Sequence, residues 1–487
     1  MNNLSKSKIL LDRQCPRRLW LQTFKPELAV EDESAISRFR DGNAVGDIAR
    51  KLHPNGIFIE TLTKDKALQE TAVALQGRPA PVFEAAFMAE DVLVRVDVLL
   101  PEAEGFRLVE VKSSTSMKNY HLDDVKIQSW VMEKAGVRPT HVALAHINSE
   151  FIYPGNSKYQ GLLAEVDLSA DVKESIAEVD DWVKSAKKTV SLPHEPLIEP
   201  GMQCSTPFNC SFQGHCLPKE SDIEYPVEIL PYGKSLVAKL KAEGFKDLRD
   251  VPAERFDNPK HIRVHRSSVS GQSELDDEAI RLMESLPYPR YYLDFETIAF
   301  AVPIWANTSP YTQLPFQWSC HIEDAQGNIS HQEFLDTTGD DPRRAFAESL
   351  VKALGENGPI VVYNAPFEGA RMKELATNFP DLANLLLAAV DRLFDLLPIA
   401  RNHYYHPAMK GSWSIKAVLP TIAPELNYAN LLVGNGGMAQ DAYRVIIDPA
   451  TDAEKRRQMH EGLLRYCEQD TLAMIKIAHA FTQNKAA

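Results

Sequence analysis

The chain contains 487 residues, 44% of them hydrophobic, which is enough for two or three packed domains of roughly 150 residues each. Its formal net charge of −14 argues against a polycation that coats nucleic acid through uniform positive charge. No apolar run reaches the roughly 18 residues that span a bilayer, and the N-terminus lacks the apolar segment of a signal peptide, so we expect a cytoplasmic protein without a membrane partner.

Three strands are predicted between residues 81 and 112, where Val and Phe are frequent. Because side chains alternate along a strand, Glu110 and Lys112 share one face, and Asp97 on the preceding strand can meet them. Two carboxylates beside a lysine suit metal-assisted phosphodiester hydrolysis, since Mg²⁺ lowers the pKa of bound water from about 15.7 and the lysine offsets charge on the phosphate. The alternative is an exposed strand with alternating charges.

A helix containing Gln128 is predicted after these strands, and the combination resembles the RecB-like branch of the PD-(D/E)XK nucleases. The resemblance implies a restriction-endonuclease-like domain in which Asp97 and Glu110 bind metal. It further implies that Lys112 is catalytic and that Gln128 contacts the substrate strand. Glu84, on the strand before Asp97, is a candidate further acid of this site.

Cys204, Cys210 and Cys216 lie within thirteen residues, and a fourth cysteine, Cys15, lies near the N-terminus. In a reducing compartment, clustered cysteines indicate a metal site instead of disulfides. Some RecB-like nucleases tie the ends of their domain together with one cysteine before the core and three after it. That resemblance implies a [4Fe-4S] cluster here, with structural Zn²⁺ as the alternative.

A strand is predicted at residues 291–297, where Asp294 and Glu296 alternate with Leu293 and Phe295. The period of two places both acids on one face and both apolar side chains on the other. Burying two adjacent anions without a counter-ion costs several kcal/mol, which a divalent cation removes. Oxygen ligands favour Mg²⁺ or Mn²⁺. An exposed strand with acids on its wet face is the alternative.

Two later motifs extend this pattern. Asn364 and Glu368 follow a predicted buried strand, and Tyr466 and Asp470 are four apart on a predicted helix and so share a face. The three blocks in this order resemble the DEDD (DnaQ-like) 3′–5′ exonucleases of the ribonuclease H-like fold.

This second resemblance implies two Mg²⁺ ions bridged by Asp294, with the other acids completing the site: Glu296, Glu368 and Asp470. Tyr466 would orient the attacking water. Most relatives have aspartate where this chain has Glu368, so we expect reduced or retuned activity. Asn364 and Lys416 are candidate substrate-binding residues, and Lys416 ends an aromatic segment that suits a single strand or, alternatively, packs as a loop.

Together, the halves resemble a bacterial family of uncharacterised proteins that fuse a RecB-like nuclease to a DnaQ-like domain. We therefore expect an α/β protein with a PD-(D/E)XK domain and its four-cysteine cluster at 1–220, a helical linker at 221–288 and a mixed-sheet ribonuclease H-like domain at 289–487. The expected function is degradation of DNA ends, with DNA favoured over RNA, alone or with repair or anti-phage defence partners. The alternatives are an RNA-trimming exonuclease and a nucleic-acid-binding subunit with one inactive site.

Overall fold

The computed structural model describes residues 4–30, 33–76, 80–217 and 223–482. It divides into two compact units, one formed by residues 1–221 with 300–312 and the other by 222–299 with 313–487. Both combine helices with mixed sheets, so the expected α/β class is confirmed. The expected boundary between residues 220 and 221 lies outside the described residues. None of the helices described is both long and apolar enough to cross a membrane.

Within the described ranges, the first unit contains seven strands and eight α-helices. The strands are β1 (Leu4–Ser5), β2 (Ile57–Phe58), β3 (Val82–Ala89), β4 (Val92–Glu102), β5 (Gly105–Lys112), β6 (Pro139–Ile147) and β7 (Leu163–Asp167). The helices are α1 (Lys6–Gln14), α2 (Pro16–Phe24), α3 (Glu33–Leu52), α4 (Lys64–Ala74), α5 (Asn119–Lys134), α6 (Ser169–Ser175), α7 (Glu178–Val190) and α8 (Gln213–Cys216).

These strands form one mixed sheet in the order β2-β3-β4-β5-β6-β7, with β1 alongside β4. The three strands predicted from the Val and Phe pattern are β3, β4 and β5, and they pair antiparallel. Helix α5 then connects β5 to the parallel strand β6. Val98 pairs with Val109, which brings Asp97 beside Glu110 where the two strands continue.

The second unit, over the part of the chain that the structure describes, contains seven strands and ten α-helices. The strands are β8 (Glu274–Leu275), β9 (Arg290–Ile298), β10 (Leu314–Glu323), β11 (Ile329–Leu335), β12 (Ile360–Val362), β13 (Leu393–Asp395) and β14 (Tyr404–Tyr405). The helices are α9 (Lys234–Ala242), α10 (Pro259–Ser270), α11 (Asp277–Glu284), α12 (Arg343–Ala353), α13 (Ala365–Asn378), α14 (Ala383–Asp391), α15 (Leu396–His403), α16 (Ile415–Val418), α17 (Gly436–Ile447) and α18 (Ala453–Thr482).

The main sheet of this unit has the order β11-β10-β9-β12-β13, with antiparallel pairs on one side of β9 and parallel pairs on the other. The alternation predicted for β9 is present: Leu293 and Phe295 pack in an apolar cluster with Phe346 and Leu350 of α12. Helix α18 packs against β9 and β10, so it lies near the strand face that carries the acids.

Residues expected to form the linker are packed within the second unit. Leu240 of α9, Val264 of α10 and Met283 of α11 are buried in one apolar cluster with Ile475 and Phe481 of α18. The hydrophobic faces of these helices therefore pack against α18, the same helix that packs against β9.

Candidate metal centres

In the first unit, β4, β5 and α5 bring the predicted residues of the early motif together. Lys112 Nζ lies 2.5 Å from Glu110 Oε1, and Gln128 Nε2 donates to Glu110 Oε2 at 2.6 Å. The backbone N–H of Val111 donates to Asp97 Oδ2 at 2.7 Å, which fixes that carboxylate against β5. Glu110 and Gln128 are fully enclosed, while Asp97 is partly buried.

Two residues without a predicted role complete this group. Asp124 Oδ2 lies 2.5 Å from Lys112 Nζ, and Lys6 Nζ lies 2.8 Å from both Glu110 Oε1 and Asp124 Oδ1. The four-residue spacing of Asp124 and Gln128 on a helix could have indicated that they share a face. Lys6 comes from α1, more than a hundred residues earlier, so no local pattern could have placed it.

The charges of this group are strongly coupled. Enclosure by the protein, and next the repulsion of Glu110, raises the pKa of Asp97 to about 8. Burial would also raise the pKa of Glu110, but Lys112 and Lys6 outweigh it and hold that pKa well below its usual range. Lys112 and Lys6 therefore favour the charged form of Glu110, while burial favours the protonated form of Asp97.

Glu84 lies on β3 between the pairs Phe83–Val98 and Ala85–Val96, and so opposite Asp97, but its carboxylate pairs with Arg95. The Arg95 Nε donates to Glu84 Oε2 at 3.0 Å, and the same guanidinium also donates to the backbone carbonyl of Thr61 at 2.9 Å. Side chains alternate between the two faces of the sheet along β3 and β4. Glu84 interrupts this alternation with a positive φ of 55°, and its carboxylate faces Arg95. The structure thus gives Glu84 an ion pair with Arg95 on the strand that carries Asp97.

A cleft of about 1150 Å³ opens beside Lys112 and Asp124. Its lining includes Arg13, Lys118 and the aromatic pair Tyr120 and Phe208, whose ring centroids are 4.6 Å apart. Phe208 belongs to the cysteine-rich loop, so that loop forms one wall of the cleft. Phe208 is exposed, and Arg13 forms an ion pair with Asp123, which lines the same cleft.

The four cysteines predicted to bind a common group line one small cavity. Cys15 precedes α2, Cys216 ends α8, and the backbone N–H of Cys210 donates to the carbonyl of Cys204 at 2.8 Å. Burial raises the pKa of the Cys210 thiol, although the nearby Arg18 guanidinium opposes that shift. His215, next to Cys216, lies with its Nε2 3.1 Å from Glu195 Oε1.

In the second unit, β9 and α18 bring three predicted ligands together. Carboxylate oxygens of Asp294, Glu296 and Asp470 all lie within 4.8 Å of one another. Tyr466, one helical turn before Asp470, is buried beside them. A tyrosine without a predicted role, Tyr428, donates its hydroxyl to Asp470 Oδ1 at 2.5 Å. Tyr428 begins a three-residue 3-10 helix, which is too short for periodicity to have indicated it.

Glu368 lies in the first turn of α13 and is only 3% exposed. Its Oε2 is buried without a hydrogen-bond partner among the described residues. Burial raises the pKa of Glu368 to about 8, and its charge contributes to raising the pKa of Asp294. A buried carboxylate oxygen without a partner is energetically unfavourable unless a proton or a cation reaches it.

The acids of this centre disfavour one another's charge. Burial, followed by the repulsion of Asp470, raises the pKa of Glu296 to about 8, and burial raises the pKa of Asp470 to about 6. Burial and the charges of three neighbouring acids also raise the pKa of Asp294 well above its usual value. The donor set consists of carboxylate oxygens, so these residues fit Mg²⁺ or Mn²⁺.

The two predicted substrate-binding residues occupy different surroundings. Lys416 Nζ lies 5.2 Å from the ring centroids of both Tyr428 and Tyr466, and it donates to the carbonyl of Gly434 at 2.7 Å. Asn364 is exposed just before α13, with φ 103°. Its backbone N–H donates to Asp395 at 3.0 Å, and Asp395 also caps α15, so this acid has a structural role at two helix ends.

Comparisons with known proteins match parts of the chain. Residues 291–414 match a family model described as "Domain of unknown function (DUF2779)". The chain is 28% identical over 235 residues to "Uncharacterized protein UU173" of Ureaplasma parvum serovar 3, covering 43% of this chain and 34% of that protein. It is 29% identical over 213 residues to "Uncharacterized protein MG366 homolog" of Mycoplasma pneumoniae, covering 40% of this chain and 32% of that protein.

These matches therefore span about a third of the length of the curated relatives. Among solved structures, the one described as "Crystal structure of SSO0001" is 18% identical and covers 45% of this chain and 89% of that one. Its TM-score is 0.23, which is too low to support an inference about this fold.

Proposed function

We propose that the protein is a metal-dependent nuclease that degrades DNA from single-stranded ends, with a separate hydrolytic centre in each unit. In this proposal the first unit is a RecB-like PD-(D/E)XK domain, and the second is a DEDD-type 3′–5′ exonuclease domain of the ribonuclease H-like fold. The observation that carries it is the convergence of Asp294, Glu296 and Asp470 from a strand and a distant helix.

In the second unit, Asp294, Glu296, Glu368 and Asp470 would hold the metal. Mg²⁺ or Mn²⁺ bound there would lower the pKa of water and neutralise charge on the attacking and leaving oxygens. Burial raises the pKa of Tyr466 far above neutrality, so its hydroxyl keeps the proton that it needs to orient a water molecule. The ammonium of Lys416, close to the Tyr466 ring, places positive charge where a phosphate of the strand would approach.

In the first unit, Asp97 and Glu110 would hold metal, and Lys112 would position water and offset charge on the phosphate. Gln128 Oε1 is buried without a hydrogen-bond partner among the described residues, so this amide retains an acceptor. The cleft lined by Arg13, Lys118, Tyr120 and Phe208 would guide a single strand past Lys112, since phosphates meet cations and bases stack on rings.

We further propose that Cys15, Cys204, Cys210 and Cys216 bind a [4Fe-4S] cluster. All four cysteines line one small cavity, which supports a single shared group. Five residues separate successive cysteines of the loop, unlike the two-residue spacing of a zinc ribbon, and this favours the iron–sulfur cluster over zinc.

The test is a cleavage assay with Mn²⁺ on matched single-stranded DNA and RNA that carry a label at either end. We expect Asp294→Asn to abolish trimming from the 3′ end of DNA and Lys112→Ala to abolish a second, distinct product pattern. Preferred cleavage of RNA would overturn the choice of DNA as substrate. Unchanged products in Lys112→Ala, with all activity lost in Asp294→Asn, would make the first unit a nucleic-acid-binding module.

A further inference from the structure

A second group of potential metal ligands lies in the second unit, and it shares no residue with the carboxylate centre. Ligand atoms of His321, His331 and Glu468 lie within 4.8 Å of one another. His321 on β10 and His331 on β11 are directly opposed in the antiparallel register, with ring centroids 4.5 Å apart. Glu468 is exposed on α18, so an ion could reach the group from solvent.

Two hydroxyls orient the histidines. His331 Nε2 lies 2.9 Å from Ser319 Oγ, which lies 3.0 Å from Thr471 Oγ1, and His321 Nδ1 lies 2.8 Å from the same Thr471 oxygen. Thr471 Oγ1 donates to the backbone carbonyl of Glu468 at 2.9 Å. A carbonyl only accepts, and this bond uses the Thr471 proton. The proton between the two hydroxyls therefore comes from Ser319.

This direction of protons identifies one donor nitrogen in each ring. Thr471 accepts from His321 Nδ1–H, and Ser319 accepts from His331 Nε2–H. The other two nitrogens, His321 Nε2 and His331 Nδ1, have no hydrogen-bond partner among the described residues, so a neutral ring would present its lone pair there. Neutral imidazoles that hydrogen-bond through one nitrogen and present the other are the usual form of histidine in metal sites.

We propose that His321, His331 and Glu468 bind a divalent transition-metal ion, with Zn²⁺ the best match. Two imidazole nitrogens and one carboxylate, with a fourth position left for water, are a donor set that zinc accepts. Mg²⁺ prefers an all-oxygen shell, so this centre selects a different ion from the carboxylate centre on β9. The inference does not depend on the proposed nuclease activity.

The position of Glu468 indicates what the ion does. Glu468 lies between Tyr466 and Asp470 on α18, whereas the two histidines lie on the β10–β11 hairpin. An ion shared by these elements ties α18 to the hairpin at the helical turn that presents Tyr466 and Asp470. The site therefore braces the turn of α18 that presents Tyr466 and Asp470.

The test is zinc binding to the full-length protein, passed over a chelating resin and then given Zn²⁺ alone. We expect the wild type to retain one more zinc per chain than His331→Ala. Zn²⁺ should also raise the melting temperature of the wild type and of Asp294→Asn but not of His331→Ala. His460→Ala, which removes a histidine from the same helix as Glu468, is the matched control and should behave like the wild type.

Glu468→Gln tests the site even if His331→Ala fails to fold, because Glu468 is exposed on the helix surface and its replacement should leave the fold intact. It should keep the wild-type circular dichroism spectrum and lose zinc affinity by more than the roughly 10–100-fold typical of an outer-shell change. Equal zinc content and equal thermal shifts in the wild type, His331→Ala and Glu468→Gln would overturn the site. A His331-dependent shift with Mg²⁺ as large as that with Zn²⁺ would overturn the assigned metal class.

Discussion

The hydroxyl of Tyr428 donates a hydrogen bond to Asp470 Oδ1 at 2.5 Å, so a side chain from a short 3-10 helix orients the carboxylate that α18 brings to β9. This hydrogen bond lowers the pKa of Asp470, opposing the effect of burial, and the pKa reaches only about 6. In Tyr428→Phe the pKa should rise further, so protons compete better with metal. We expect the Mn²⁺ concentration for half-maximal trimming to rise about tenfold, as for loss of a charge-assisted bond of about 1.5 kcal/mol.

The pH profile separates this effect from a packing defect. Since protons compete with metal only near and below the pKa, the increase should be larger at pH 6.5 than at pH 8.5. Tyr404→Phe removes another buried hydroxyl contact of the same unit, to Thr421 at 2.8 Å, and should leave the Mn²⁺ requirement unchanged. An equal change at both pH values would show that Tyr428 acts only through packing.

Glu368→Gln removes a buried charge while keeping the size of the side chain. Because Glu368 Oε2 has no hydrogen-bond partner among the described residues, its charge is useful to the protein only if a cation binds there. We expect 3′ trimming to fall by about 100-fold, the scale of losing one electrostatic group of a catalytic centre, with partial recovery at high Mn²⁺. Glu368→Asp should retain activity.

Glu374→Gln is the matched control, because Glu374 lies on the same helix and is exposed. It should trim at the wild-type rate. If Glu368→Gln also trims normally and only melts slightly earlier, Glu368 is a helix N-terminal acid worth about 0.3–1 kcal/mol and not a ligand.

The regular elements explain why much of both centres could be predicted. Period-two alternation placed Asp294 beside Glu296, and the four-residue helical repeat placed Tyr466 above Asp470; both arrangements are present. The same strand period, with the hairpin between β4 and β5, brought Asp97 to Glu110 and Lys112. These relationships depend on local backbone geometry, which a short stretch of sequence defines.

No local sequence pattern indicated the contacts between segments that are distant along the chain. Lys6 reaches Glu110 from the first helix. Glu84 contacts Arg95 from a backbone position with positive φ that no residue pattern indicated. Residues 300–312 interrupt the sequence of the second unit but belong to the first, where Tyr311 donates to the carbonyl of Ser113 at 2.5 Å. Such pairings depend on how whole elements pack, so periodicity cannot predict them.

The raised pKa values make the metal-free protein sensitive to pH. Glu296 and Glu368 have pKa values of about 8 in the folded chain and about 4.3 when unfolded, so the folded state binds more protons between these values. The contribution of these two groups to the free energy of unfolding is therefore complete at a pH below their pKa in the unfolded chain. It is lost as the pH rises through their pKa in the folded chain. With a chelator present, we expect the melting temperature to fall between pH 5.5 and 8.5.

Mn²⁺ should reverse this loss, raising the melting temperature more at pH 8.5 than at pH 5.5, where protons occupy the ligands. Differential scanning calorimetry of the wild type and Glu296→Gln, with chelator or Mn²⁺, measures both effects. The variant should show a flatter dependence on pH and a smaller shift with Mn²⁺. Identical pH dependence in the two proteins would show that the pKa of Glu296 is not raised by burial.

The cysteine cavity predicts a colour and a stability effect that belong to the first unit. Protein purified without oxygen should be brown, with the broad visible absorbance of thiolate-bound iron. Cys210→Ser should remove that absorbance, because Cys210 lines the cavity with Cys15, Cys204 and Cys216. It should also destabilise the packing of Trp20, Leu21 and Phe212 beside the sulfurs, which lowers the melting temperature of the first unit.

Cys320→Ala is the matched control, since Cys320 is buried on β10 in the second unit and lies far along the chain from the cavity. It should stay brown, with iron and sulfide contents equal to those of the wild type.

Because Phe208 of the same loop lines the cleft beside Lys112, loss of the cluster should also weaken binding of single-stranded DNA in a filter assay, with a control at matched salt. Stoichiometric zinc without iron, lost in Cys210→Ser, would overturn the iron–sulfur assignment in favour of a zinc site.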